Sequence, residues 1–329
     1  MDRIEHKFVN VGDLKLHVAE IGSGGSAVVF LHGFPEIWYS WRHQMIALAD
    51  AGFRAVSFDY RGYGLSDPPP PGNKATWFDL LNDLLHILDA LALSKVFLVG
   101  KDFGARPAHF FSILHPERVL GVVTLGVPYV PPGPSLYHKF LPEGFYILRW
   151  KEPGRAEANE NQEIMDLVEP DTPLPTWFTE EDLATYAALY ENSGLQTALQ
   201  IPYRSFGEVF NLPDPVVRVP ALLIMGGKDY ILKFPGIEDL TKVEKAKELV
   251  PNLEVTFIPE GTHFVQEQFP QQHSLTMLSS AISCSDVVVS PPKSLKWSLV
   301  HKHDNGIRSP EHSLELVQIL TGKSRVDQV

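Results

Sequence analysis

The sequence predicts an α/β protein: a mostly parallel, doubly wound sheet interrupted by an inserted helical cap, or lid. Short apolar runs at 27–31, 55–58, 96–99 and 119–127 are continuous rather than alternating, as strands covered on both faces must be. Helical patterns at 38–49, 78–93 and 103–115 stand between them, the alternation that builds a parallel sheet. The alternation stops from 128 to 220, where helical stretches at 140–150, 180–191 and 194–210 are separated by proline-rich connections. It resumes with an apolar run at 221–225, a helix ending near 250 and a run at 253–258. The expected organisation is therefore core (1–127), helical cap (128–220) and core again (221–270), followed by an atypical C-terminal segment (271–329).

The smaller elements follow the same logic. Residues 7–11 and 14–19 alternate apolar and polar about Gly12-Asp13, the pattern of an antiparallel hairpin at a sheet edge. Four consecutive prolines within 67–72 exclude helix or central strand there.

Composition bounds the function. With 329 residues, 44% hydrophobic and 21% charged, the chain can bury a sizeable core. Its formal charge of -12 argues against nucleic acid or an anionic membrane as partner, since both select basic surfaces. The single cysteine, Cys284, fits a reducing compartment. No apolar run reaches membrane-spanning length and no secretory signal is recognisable, so a cytoplasmic protein, monomer or homodimer, is expected.

The stretch Gly100-Lys101-Asp102-Phe103-Gly104 joins an apolar run to a helical pattern. A G-x-Nu-x-G pentapeptide of this kind makes a tight strand-to-helix turn that exposes its central side chain above the sheet. Here that residue is Asp102. A carboxylate is already an anion at neutral pH and can displace a leaving group from an sp³ carbon directly, forming an enzyme ester. The same residues also suit an ordinary turn with a capping aspartate, and the motif alone leaves both readings open.

Two further strand ends supply partners. The run at 221–225 is followed by Gly226-Gly227-Lys228-Asp229, and that at 253–258 by Gly261-Thr262-His263. The chain order nucleophile, acid, histidine is that of an α/β-hydrolase fold. His263 would activate water as a base, and Asp229 would orient and stabilise its ring. Either residue alone reads equally as a turn acid or a loop histidine; the three coinciding at three strand ends argue for a catalytic set. Backbone N–H groups of Phe34 and Phe103 would form the oxyanion hole, with Pro35 fixing the path of the first loop, if need be through a cis bond. No metal or organic cofactor is expected, because there is no His/Cys ligand cluster and no phosphate loop.

The motifs His32-Gly33-Phe34-Pro35-Glu36, Trp38-Tyr39-Ser40-Trp41-Arg42, Asp59-Tyr60-Arg61-Gly62-Tyr63-Gly64, the aspartate elbow, His115-Pro116-Glu117-Arg118 and Gly261-Thr262-His263-Phe264 together resemble the soluble epoxide hydrolases of the α/β-hydrolase superfamily, most closely the plant type. The likeness runs over about residues 5–270. It implies conversion of a small lipophilic epoxide, fatty-acid epoxides included, to a vicinal diol through an Asp102 ester. It further implies two cap tyrosines, Tyr146 and Tyr203, that protonate the epoxide oxygen, and a substrate site that includes Pro35 and Trp38. The alternative for each tyrosine is simple packing of the cap.

The sequence departs from this pattern in three places. Lys101 and Phe103 stand where the family usually has His and Trp, and the Lys101 ammonium either helps to hold Asp102 ionised or points to solvent. Gln200-Ile201-Pro202 replaces the usual Asn and aromatic before Tyr203, which bears on the pose of that tyrosine. After Pro270 the text becomes Ser- and Val-rich, and 309–320 reads as a second opening of the last helix, expected over 310–321. Residues 271–308 therefore read as an insertion, such as translated intron, and as poorly ordered. Competing functions are a haloalkane or haloacid dehalogenase, which Phe103 disfavours because it offers no N–H donor to a halide, and a catalytically impaired binding relative.

Overall fold

Eight strands form one sheet in the order β1-β2-β4-β3-β5-β6-β7-β8. They are β1 (Glu5–Val11), β2 (Leu14–Ile21), β3 (Ala27–Leu31), β4 (Arg54–Phe58), β5 (Val96–Lys101), β6 (Val119–Leu125), β7 (Ala221–Gly226) and β8 (Leu253–Ile258). The computed structural model describes residues 2–70, 72–131, 173–195, 197–205, 208, 212, 214–234 and 237–283. The expected hairpin is present, β1 pairing with β2 antiparallel about Gly12-Asp13. β2 also runs antiparallel to β4, and every later pairing is parallel.

Covering helices alternate with the strands: α1 (Arg42–Asp50), α2 (Trp77–Ala90), α3 (Ala105–Leu114), α4 (Glu180–Tyr190), the short α5 (Ile237–Thr241), α6 (Val243–Ala246) and α7 (Val265–Gln268), and α8 (Pro270–Ser283). All of β3, β5 and β7 is buried, which explains their uninterrupted apolar text. α2 starts where Thr76 and Asp79 cap each other, each accepting from the other's backbone N–H. β3 lies between β4 and β5, so the chain leaves the sheet in opposite directions after these central strands. That reversal opens a crevice beyond their carboxyl ends, where α/β sheets place ligand sites.

Among the described residues of 128–220 there is no strand, and α4 lies over the helix expected at 180–191. The helix expected over 194–210 is not continuous. One turn, Gln200–Arg204, is interrupted at Ile201, whose φ of -116° and ψ of 117° are extended, before a cis Ile201–Pro202 bond. Proline removes the amide that a helix would need there. The helix expected to end near 250 is likewise broken into α5 and α6. The helix expected at 140–150, and with it Tyr146, lies outside the described residues.

Residues 271–283 correct a further expectation. They continue helically from Pro270 as α8, which packs on α1. Their spacing places His273 and Met277 inside, with the His273 ring 6.4 Å from that of Trp41, so this stretch buries enough surface to hold a helix. The remainder of the segment, including 310–321, lies outside the described residues.

A buried clasp joins the cap to the core. Arg42 donates from Nη1 to Glu267 Oε2 (2.7 Å) and from Nη2 to Asp182 Oδ1 (2.8 Å), while its guanidinium lies 4.2 Å above the Tyr39 ring. Asp182 also caps α4 and accepts from the Tyr39 hydroxyl at 3.0 Å. Burial, opposed by Arg42, leaves the Glu267 carboxyl pushed up to about 7. Removing one partner of such a cluster strands the remaining charges away from water. Arg42→Met is therefore expected to lower stability by about 3–5 kcal/mol in urea unfolding; a loss under about 1 kcal/mol would mean that the clasp is dispensable.

Candidate active site

The turn after β5 carries Asp102 with φ of 52°, in the left-handed region that costs a non-glycine residue of order 1–3 kcal/mol. Three glycines make the turn sterically possible. A Cβ on Gly100 would overlap the Gly104 carbonyl oxygen, and one on Gly104 would overlap that of Leu31. A Cβ on Gly33 would lie 2.5 Å from the Asp102 Cβ. The elbow, β3 and the loop after β3 thus meet backbone to backbone, which places Asp102 above the central strands.

His263, from the loop after β8, reaches the aspartate. Its Nε2 lies 3.1 Å from Asp102 Oδ2, and its Nδ1 lies 3.0 and 3.1 Å from the two oxygens of Asp229. Asp229 is itself fixed by the Ile231 amide at 3.0 Å. Gly126, with φ of 73°, leaves the space this pair occupies; a Cβ there would lie 3.1 Å from both Asp229 Oδ2 and the His263 ring. The Gly227 amide donates to the Ile258 carbonyl and that of Lys228 to Gly261, each at 2.8 Å, so the two loops that carry Asp229 and His263 form one unit.

The other carboxylate oxygen, Asp102 Oδ1, accepts from the Phe34 amide at 3.2 Å, and the Phe103 amide also donates to this carboxylate. The Phe34–Pro35 bond is cis and Pro35 is buried. Burial alone would raise the Asp102 pKa, but His263, Lys101 and the Phe103 amide outweigh it and hold the group below the ordinary carboxylate value. Burial likewise opposes a charge on His263, yet Asp229 and Asp102 raise it to about 9. A carboxylate at each ring nitrogen thus favours the protonated ring.

Tyr203 closes the site from the cap. Its ring stands edge-on to Phe103 (5.3 Å) and Phe34 (5.2 Å), the two residues whose amides surround Asp102. Its segment is tied to the core from several sides. The Tyr63 hydroxyl lies against the carbonyls of Ala198 and Ile201, the Ala75 amide donates to Gln200 Oε1 (3.1 Å), and Trp77 Nε1 donates to the Ser205 carbonyl (3.1 Å). Trp38, expected in the substrate site, packs its ring on His6, His17 and Tyr39.

The family described as alpha/beta hydrolase fold matches residues 26–270. The chain is 34% identical to Epoxide hydrolase 3 of Siraitia grosvenorii over 306 residues, spanning 83% of this chain and 96% of that one. Among solved structures, an epoxide hydrolase from Vigna radiata aligns with a TM-score of 0.79 at 32% identity, covering 86% of this chain and 99% of that one. Epoxide hydrolase I of potato (Solanum tuberosum) aligns with a TM-score of 0.77 at 31% identity, covering 85% and 99%. The chain belongs to the α/β-hydrolase family, among its plant-type epoxide hydrolases. Among the described residues of this family member, no helix is long and apolar enough to cross a membrane.

Sequence reasoning misses the residues beneath this epoxide hydrolase site. Lys101 does not point to solvent: its ammonium is fully buried and donates to Glu36 Oε2 at 2.7 Å. Gln266 Nε2 donates to the other Glu36 oxygen at 2.5 Å. The one available signal is the position of Lys101 itself, since an apolar strand that runs through Lys101 into a buried elbow must find that cation a partner.

Crowding at Gly33 yields a direct test. Gly33→Ala is expected to fold yet lose about 100-fold in kcat/KM on an epoxide, because its methyl displaces Asp102 from the Phe34 amide; unchanged kcat/KM in the variant would contradict this packing.

Proposed function

We propose that the protein hydrolyses lipophilic epoxides to vicinal diols through an ester on Asp102. One observation supports this above the others. A single carboxylate has one oxygen facing backbone amides and the other facing a histidine that a second carboxylate orients. Asp102 Oδ2 attacks a ring carbon, the C–O bond of the epoxide breaks, and the ring oxygen leaves as an alkoxide that takes a proton from Tyr203, assisted by Tyr146. Oδ1 becomes the ester carbonyl oxygen, which accepts from the Phe34 amide, and the Phe103 amide donates to the same carboxyl group. Water then attacks that carbonyl carbon, its proton passing to His263 Nε2. The tetrahedral oxyanion is stabilised by the two amides, the ester C–O bond breaks, the diol leaves after taking a proton from His263, and the acid proton left on Asp102 passes to His263, which restores the carboxylate.

The electrostatics give this sequence an internal order. While Asp102 is an anion, it and Asp229 keep His263 protonated, and an imidazolium cannot accept a proton from water. Esterification removes the Asp102 charge and with it one of the two groups that hold that proton. His263 thus becomes a base only after the first half-reaction, when its proton passes through solvent to the phenolate left on Tyr203. The haloalkane dehalogenase reading gains nothing from Phe103, whose side chain is a hydrocarbon. A cytoplasmic setting is supported by the single cysteine in a chain of 329 residues, and the oligomeric form is proposed as monomer or homodimer.

His263→Gln tests the assignment, because it leaves the nucleophile and removes the base. Incubation with a styrene-type epoxide should add one epoxide mass to the intact protein, located on the Asp102 peptide, with diol release reduced at least about 100-fold; sustained turnover by this variant would refute the role given to His263. The pH dependence of folding is a second check. The folded-state pKa of His263 is raised from 6.5 to about 9, so its stabilising contribution is complete below about 6.5 and is lost as pH rises through 9. The Tm of the wild type should therefore fall over that window more steeply than that of His263→Gln, and parallel curves would contradict the imidazolium.

A further inference from the structure

Lys101 occupies the position before the nucleophile, and its environment is built from three separate strand ends. Its ammonium meets Glu36 from the loop after β3 at 2.7 Å and lies 4.3 Å over the ring of Phe264, the residue after the catalytic histidine. Gln266, from α7, holds the second Glu36 oxygen, and Gln44 of α1 holds Gln266 through its carbonyl at 2.7 Å. The side-chain exposures of the pair are 0 and 1%. An ion pair this deep stabilises a fold no better than an apolar pair of equal volume, so stability alone gives no reason for it. Its orientation does. Lys101 is among the charges that act on both Asp102 and His263, whereas Glu36 acts on Tyr60, Tyr186, Tyr190 and Glu267. Lys101 directly precedes Asp102, and its ammonium lies over the ring of Phe264, which directly follows His263, so the cation is held beside both residues.

We propose that Lys101 is a positioning residue for the second half-reaction: its charge, fixed behind the elbow by Glu36, favours the neutral, base-competent form of His263 once Asp102 is esterified. This rests on the ester mechanism proposed above. The other described groups facing His263 are Asp102 from the turn after β5, Asp229 and the Tyr230 ring (5.1 Å) from the loop after β7, and the edge of Phe264. Glu267 on α7 is engaged by Arg42 and Tyr186. In the ester, Asp102 is neutral, so among the described groups Asp229 favours the imidazolium while burial and the Lys101 charge oppose it. Without Lys101, His263 would keep its proton to higher pH, and the ester would persist at neutral pH. In free enzyme the same cation favours the anionic nucleophile, so one charge serves both steps.

The test separates the two half-reactions. Ester formation and decay are followed by rapid quench across pH, with a styrene-type epoxide, in wild type, Lys101→Met and Lys101→Met/Glu36→Gln. The double variant removes both charges and leaves no unpaired ion, so it reports even if the single variant does not fold. The midpoint of the decay profile should rise by about one unit in either variant, which slows decay about tenfold on the acidic limb while the high-pH plateau is kept. Lys101→Arg should restore the midpoint. Structural damage would lower the plateau and leave the midpoint in place, and a midpoint equal to that of the wild type in the folded double variant would overturn the proposal. Absence of any ester in His263→Gln would instead remove the mechanism on which the proposal rests.

Discussion

A carboxylate held in a left-handed backbone conformation, with no room beside it for a β-carbon, is the constraint on which this structure depends. Asp102 sits at φ of 52° because β5 must turn at once into α3, and that turn exists only where Gly33, Gly100 and Gly104 bring three backbones into contact. The sheet order supplies the place: β3 and β5 are neighbours, so the loop carrying Phe34 and the elbow carrying Asp102 emerge side by side. Strain of this kind persists because buried strands on both sides over-determine it. The glycines thus fix where the Asp102 carboxylate stands.

Charge is layered behind that carboxylate. Asp229 and His263 form one side of the site, Lys101 pairs with Glu36, and Arg42 joins Glu267 to Asp182 of α4. Each member has an opposite charge within about 3 Å, which is what allows so many ions to be buried together. The arrangement links chemistry to architecture. Gln266 and Glu267 follow His263 closely in sequence, and they hold Glu36 and Arg42 respectively, so the segment that carries His263 is tied through Arg42 to α4.

The core is legible in the sequence because its signals are local. Continuous apolar runs mark the buried strands, and glycines with a central aspartate mark the elbow; β3 occupies the residues its text predicts. The Asp102, Asp229 and His263 assembly is legible for the same reason, each residue standing just after its strand. What is not legible involves long-range partners. Glu36 lies 65 residues from Lys101, and Glu267 lies 225 from Arg42, so no spacing rule joins them. Helical periodicity around 194–210 misleads because Pro202 breaks the amide ladder within an otherwise helical pattern. The text from 271 onwards misleads in the opposite sense: a Ser-rich stretch still winds into α8, since His273 and Met277 face inward.

The central claim is that Asp102, and not water, attacks the substrate. Single turnovers of wild-type protein, in excess over a styrene-type epoxide, can be run in ¹⁸O water and repeated once, followed by mass spectrometry of the Asp102 peptide. An ester cleaved at its carbonyl leaves heavy oxygen in the Asp102 side chain, and the diol of the first turnover carries none. Heavy oxygen in the first-turnover diol, with Asp102 unlabelled, would mean direct attack by water and would contradict the account.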